Sequence, residues 1–100
     1  MVCKIVWTDP ALKDLQDLVS HIAQDSPVAA ERVGDEIVAR INLLMNHPFM
    51  GAVYRRSRHR DIREVLCRKY RIFYRVIDED RRVEVLTVWH GARREPRITG

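Results

Sequence analysis

Arginine, histidine and tyrosine are the chemically capable side chains of this chain, and they gather in its second half. In Tyr70-Arg71-Ile72-Phe73-Tyr74-Arg75-Val76 the alternation puts Arg71 and Arg75 on one strand face and Ile72, Tyr74 and Val76 on the other. Arg63, in the preceding apolar run, is expected close to them. Guanidinium groups on a sheet offer planar donors suited to phosphate or carboxylate. The same arginines can instead pair with Glu64 and Glu84 across the strands, an arrangement worth little energy at a surface. On the residues alone both readings stand. His90 ends the last apolar run and is followed by Gly91-Ala92-Arg93-Arg94. An imidazole there could act as general acid or base beside a phosphate, or be a half-buried ring satisfied by backbone. Arg55-Arg56-Ser57-Arg58-His59-Arg60 has no periodicity and reads as an exposed loop. Its Arg55, Arg56, Arg58 and Arg60 suit phosphates without base preference, or an acidic protein partner. His21 and His47 fall in or beside helices and take no role.

The elements that must position these groups are legible from periodicity. Lys4 to Trp7 is a short apolar-rich stretch that suits a first strand. Thr8-Asp9-Pro10 is a helix start, a capping side chain followed by proline in the first turn. Leu12, Leu15, Leu18, Val19, Ile22 and Ala23 then form one apolar stripe. Asp25-Ser26-Pro27 repeats the start signal, and a second helix is expected from about Val28 to Asn46. Two amphipathic helices separated by so short a break form an antiparallel hairpin, closed by Pro48 and Gly51. Ile62–Leu66, Tyr70–Ile77 and Arg82–His90 read as strands. Their turns are too short for crossover helices, so they form an antiparallel meander, with the last strand central in the sheet. The expected fold class is α+β: one domain over residues 1–100, an N-terminal helical hairpin on one face of a small, mostly antiparallel sheet. Trp7, the Leu12–Leu15–Leu18 stripe and the Tyr74/Val76 face belong to its core.

Composition bounds what such a domain can do. At 100 residues, 46% hydrophobic and 32% charged, the chain has enough apolar surface for one modest core. The net charge of +4 is unevenly spread. The first fifty residues carry four basic and seven acidic side chains, the last fifty fourteen and seven. That asymmetry points to a polyanion or an acidic partner. No apolar run reaches the roughly 18–20 residues of a membrane span, and Met1-Val2-Cys3-Lys4 lacks the apolar region of a secretory signal. Cys3 and Cys67 sit in no metal-ligand spacing, so a reduced, cytosolic protein without metal is expected. No glycine-rich phosphate loop and no Gly-x-Ser-x-Gly elbow occurs, and four scattered glycines leave nothing to wrap a cofactor.

The order of motifs resembles the RelE/ParE family of bacterial type II toxins. Trp7-Thr8-Asp9-Pro10-Ala11, Asp14-Leu15, Asp25-Ser26-Pro27 with Ala29-Ala30, and Pro48 with Gly51 look like its first half. Ile62-Arg63-Glu64-Val65, Tyr70 to Val76, and Val88-Trp89-His90-Gly91-Ala92-Arg93 look like its late strands and terminal motif. The resemblance implies a plasmid-stabilisation type toxin that inhibits growth until a cognate antitoxin wraps it in a hetero-oligomer. RelE-like members cleave mRNA in the ribosome; ParE-like members bind DNA gyrase. If this chain is RelE-like, Arg71, His90 and Arg93 match catalytic positions. The tail beyond Arg93 carries no tyrosine, and Glu64 stands where some nucleases have a lysine, so a second acid or base is missing. The long hairpin and His-Gly-x-Arg look more ParE-like. Gyrase is therefore the first expected target, ribosome-bound mRNA the alternative, and an inactive homologue that only binds its antitoxin the third. No cofactor is implied.

Overall fold

The computed structural model describes residues 2–56 and 61–91. Strand β1 (Lys4–Trp7) leads into helix α1 (Asp9–Ala23), helix α2 (Pro27–Asn42) and a 3₁₀ turn, Leu43–Met45. Four strands follow: β2 (Ala52–Val53), β3 (Ile62–Cys67), β4 (Tyr70–Ile77) and β5 (Arg82–His90). The sheet order is β1-β5-β4-β3-β2, with β1 parallel to β5 and every other pair antiparallel. The expected α+β architecture holds, with β5 inside the sheet and the hairpin on one face.

Both helix starts are built as the sequence reading expects. The Thr8 hydroxyl accepts from Ala11 N–H and donates to the Val85 carbonyl at 2.7 Å, so one side chain caps α1 and ties it to β5. Ser26 caps α2 by accepting from Ala29 N–H at 3.1 Å. The second helix ends earlier than Asn46. Its last turn tightens at Leu43–Met45, where the Met45 carbonyl turns aside to accept Cys3 N–H at 2.7 Å. Strand β2 is not among the expected elements. It is two residues long and exists through its pairing with Arg63 and Glu64 of β3.

The main core lies between hairpin and sheet. Ile37, Ile41 and Leu44 meet Ile72, Tyr74, Val83 and Val85, all with no exposed surface. Trp7, Leu15 and Leu18 pack against it as expected. Leu12 does not. Ala11 takes the contact line of the helix, and Leu12, one residue on, is turned out and 41% exposed. A second small cluster, Tyr54, Ile62 and Phe73 with Leu86 and Trp89, covers part of the opposite sheet face.

One irregularity controls what the strands present. Tyr74 pairs with Val85 but Phe73 pairs with Thr87, so Leu86 is an extra residue in β5. This β-bulge reverses the parity of the strand. Val83 and Val85 face the helices before it, Val88 after it.

Candidate functional site: two sheet faces and the α1–β5 cleft

The open face of the sheet holds Arg71, Arg75 and Arg82, each against a carboxylate. Arg71 Nε donates to Glu64 at 2.8 Å, and its guanidinium lies 5.0 Å from the Phe73 ring centroid and 5.8 Å from that of Tyr54. Tyr54 in turn sits edge-on to Phe73. Arg75 bonds Glu84 at 3.0 Å and approaches Asp61 at 4.0 Å. Arg82 stands 3.3 Å from both Asp80 and Glu84. Three cations thus face four carboxylates. The expected cationic sheet face is, among the described residues, internally neutralised. A phosphate could reach Arg71 only by displacing Glu64, against a charge-assisted bond in a partly buried setting.

Arg63 is not beside Arg71 and Arg75 as expected. Its cross-strand partner is Tyr74, a residue of the helix-side core, whereas Arg71 pairs with Leu66 and Trp89 on the open side. Arg63 instead donates to the carbonyls of Phe49 and Gly51, at 3.3 and 2.8 Å, and lies over the Phe49 ring. Arg55 and Arg56 are exposed and follow Tyr54 at the end of β2. Arg58, Arg60 and Arg93 lie outside the described residues.

His90 pairs with Tyr70 across the strands, and their rings meet edge-on at 5.5 Å. Both line a cleft of about 310 Å³ against α1, together with Asp14, Asp17 and His21. Asp14 accepts from the Thr87 hydroxyl and from Val88 N–H (the latter at 3.1 Å), which fixes α1 to β5 at the bulge. Two carboxylates make the cleft unfavourable for phosphate. By the strand pairing, Arg71 and His90 therefore face opposite sides of the sheet. Sequence reasoning gave His21 no role and missed the cleft. Its signal was the helical spacing of Asp14, Asp17, Leu18 and His21, a stripe of mixed polarity facing a sheet.

The motif glycines have steric reasons. A Cβ on Gly91 would stand 2.8 Å from the Lys69 carbonyl, which Gly91 N–H bonds at 2.6 Å. A Cβ on Gly51 would stand 2.6 Å from the Glu64 carbonyl and from the Tyr74 hydroxyl. That hydroxyl accepts from Gly51 N–H at 2.9 Å and donates to the Pro48 carbonyl at 2.8 Å. Burial raises its pKa above the usual phenol value. Burial likewise pushes the Cys67 thiol up, which removes it as a nucleophile. Among the described residues no group of His, Cys, Asp and Glu could hold a metal ion, and no helix is long and apolar enough to cross a membrane.

Residues 5–95 match the family described as ParE toxin of type II toxin-antitoxin system, parDE. Y4kP of Sinorhizobium fredii, named as a toxin, is 34% identical over 97 residues, covering 95% of each chain. The fold is similar to that of a chromosomal ParDE toxin-antitoxin system from P. aeruginosa, with TM-score 0.73 and 22% identity over 89% of this chain and 96% of that one. It is also similar to a free-state mutant of E. coli RelE, with TM-score 0.66 and 23% identity over 92% and 86%. The RelBE2 toxin-antitoxin complex of Mycobacterium tuberculosis gives TM-score 0.64 and 22% identity over 90% and 99%. With a family match across nearly the whole chain and a relative above 30% identity, this chain belongs to the ParE family, as the toxin of a type II toxin–antitoxin system.

Proposed function

We propose that this toxin is ParE-like in action: it inhibits growth by binding DNA gyrase in the cytoplasm, and a cognate antitoxin protein neutralises it in a hetero-oligomer. The observation that carries this reading is the separation of Arg71 from His90. Cleaving RNA requires activation of a 2′-hydroxyl, stabilisation of a crowded phosphate and protonation of the leaving oxygen, all within about 3 Å of one centre. Here the guanidinium group and the imidazole lie on opposite faces, and Arg71 is held by Glu64. A binding toxin needs no such convergence. It needs a rigid surface, and the Arg75–Glu84 pair, the Arg71 guanidinium over Phe73 and the edge-on contact of Tyr54 with Phe73 supply stiffness.

One observation favours the mRNA-cleaving alternative. The cleft gathers His21, His90 and Tyr70, the acid–base groups a nuclease would use. Its carboxylates Asp14 and Asp17 weigh against it, because they repel the phosphate those groups would serve. Brief expression in cells, followed by pulse labelling of DNA and protein synthesis, tests the two. Early loss of DNA synthesis with intact transcripts is expected. Early loss of translation with cut transcripts would contradict the proposal, and growth without inhibition would leave an inactive homologue.

A further inference from the structure

We infer that the cleft between α1 and β5 is a binding site for a small organic cation, an amine or guanidinium group carried on an apolar body. The site is independent of whether gyrase or mRNA is the target. The cleft measures about 310 Å³, at the lower end of the range for small-molecule sites, which are lined by apolar groups with a few placed polar ones. Leu18 and Ile22 of α1 and Val88 of β5 supply apolar walls. The Tyr70 and His90 rings, edge-on at 5.5 Å, add aromatic surface.

Charge selects the ligand. Asp14 stands half-buried in the wall, and its Oδ2 accepts from two neutral donors, the Thr87 hydroxyl and Val88 N–H. Among the described residues its Oδ1 has no donor, and no lysine or arginine lies within ion-pair distance of it. On the open sheet face, by contrast, Glu64, Glu84, Asp61 and Asp80 each face an arginine. Asp17, the second carboxylate of the cleft, pairs with Lys13 at 2.9 Å, but both side chains are mostly in solvent and the pair exchanges easily. A half-buried carboxylate with only neutral partners gains a charge-assisted bond from a cationic donor. An anion is repelled there, and a neutral apolar molecule would take water from Oδ1 without replacing its hydrogen bond. The cleft also runs along the C-terminal half of α1, where the helix dipole favours positive charge.

The walls are in place before any ligand arrives. Two bonds from β5 hold Asp14, and the pairing of Tyr70 with His90 fixes the aromatic end. Gly91 N–H bonds the Lys69 carbonyl at 2.6 Å just beyond it. Little ordering entropy is left to oppose binding.

The probe is phenethylamine, with phenethyl alcohol and hydrocinnamate as its neutral and anionic counterparts. Each is titrated into the full chain at about pH 8, where an ordinary imidazole is neutral, and followed by amide chemical shift. Shifts are expected on α1 from Asp14 to Ile22 and on β5 from Val88 to His90. The amine should bind about tenfold or more tightly than the alcohol, and hydrocinnamate more weakly than either. Asp14→Asn keeps an oxygen for Thr87 and Val88 while removing the charge, so it should fold, which an unchanged melting temperature verifies. In it the amine should weaken about tenfold, to the affinity of the alcohol. Should that variant melt lower, the three probes on the unaltered chain still decide, together with the exposed Asp17→Asn, which should weaken the amine less. Absence of shifts at about 10 mM amine, shifts confined to other residues, or equal binding of amine and alcohol would overturn the inference. So would an Asp14→Asn variant that binds the amine as tightly as the unaltered chain, or a greater loss in Asp17→Asn. Binding of N-acetylarginine amide about tenfold or more tightly than phenethylamine would also do so, since an arginine of a partner protein would then be the occupant.

Discussion

Arg71 and His90 occupy neighbouring rungs of the β4–β5 ladder yet face opposite sides of the sheet, because Arg71 pairs with Trp89 and His90 with Tyr70. The bulge at Leu86 fixes that outcome. Counted in strict alternation from Val83 and Val85, Trp89 would face the helices and His90 the open side with Arg71. The extra residue reverses both. Asp14 holds the bulged segment by bonding Thr87 and Val88, so helix α1 maintains the separation.

If no chemistry runs through His90, His90→Gln should inhibit growth as strongly as the unaltered chain at matched protein level. A general acid or base in that place would give about a 10²–10⁴-fold loss on removal. The comparison is made by titrating inducer and scoring colony survival.

The carboxylates on the open sheet face should suppress binding of nucleic acid. Glu64→Gln and Glu84→Gln together remove two of the four carboxylates that face Arg71, Arg75 and Arg82, leaving Asp61 beside Arg75 and Asp80 beside Arg82. The double variant should bind single-stranded RNA more tightly, and its log–log salt slope should steepen by about 0.7 for each further phosphate it neutralises. A slope equal to that of the unaltered chain would show that Arg71 and its neighbours were never restrained by charge.

The Tyr74 hydroxyl bridges Pro48 and Gly51 in the interior. Tyr74→Phe should cost about 1–3 kcal/mol in denaturant unfolding, since two buried backbone groups lose their partner. Its raised pKa has a direction too. The folded state holds the proton more tightly than the unfolded chain, so stability is complete below the ordinary phenol value near 10 and declines as pH rises through the folded value. The phenylalanine variant should lose that alkaline decline. Gly51→Ala should be the more damaging, because two fixed oxygens stand 2.6 Å from its Cβ.

Glu36 on α2 is held below its usual pKa by its hydrogen bond with Arg68 in the β3–β4 turn. A depressed carboxylate stabilises above its unfolded value of 4.5, and that contribution is lost as pH falls through the lower folded value. Both side chains are exposed, so the effect should be small and weaken with salt. Arg68→Ala should melt below the unaltered chain at pH 6 and alongside it once Glu36 is protonated. A gap that survives in strong acid would assign the loss to the left-handed backbone at Arg68 instead.

Local signals carry the fold well where one residue does one job. Thr8 and Ser26 cap helices ahead of Pro10 and Pro27, and the β-branched run of β4 needs no partner to be read. Strand β2 is invisible in the sequence because two exposed residues have no periodicity and exist as a strand only through distant Arg63 and Glu64. The site is legible as residue types and not as an arrangement. Whether Arg71 meets a phosphate or Glu64 depends on the register of β3 against β4. Whether His90 joins Arg71 depends on one extra residue in β5. Neither register nor bulge leaves a mark in composition.

The most direct test is gyrase supercoiling of relaxed plasmid in the presence of the purified chain, with His90→Gln alongside. A toxin that acts by docking should block supercoiling with both proteins at equal concentrations. Full gyrase activity at a concentration of toxin that cleaves mRNA on programmed ribosomes would contradict the account.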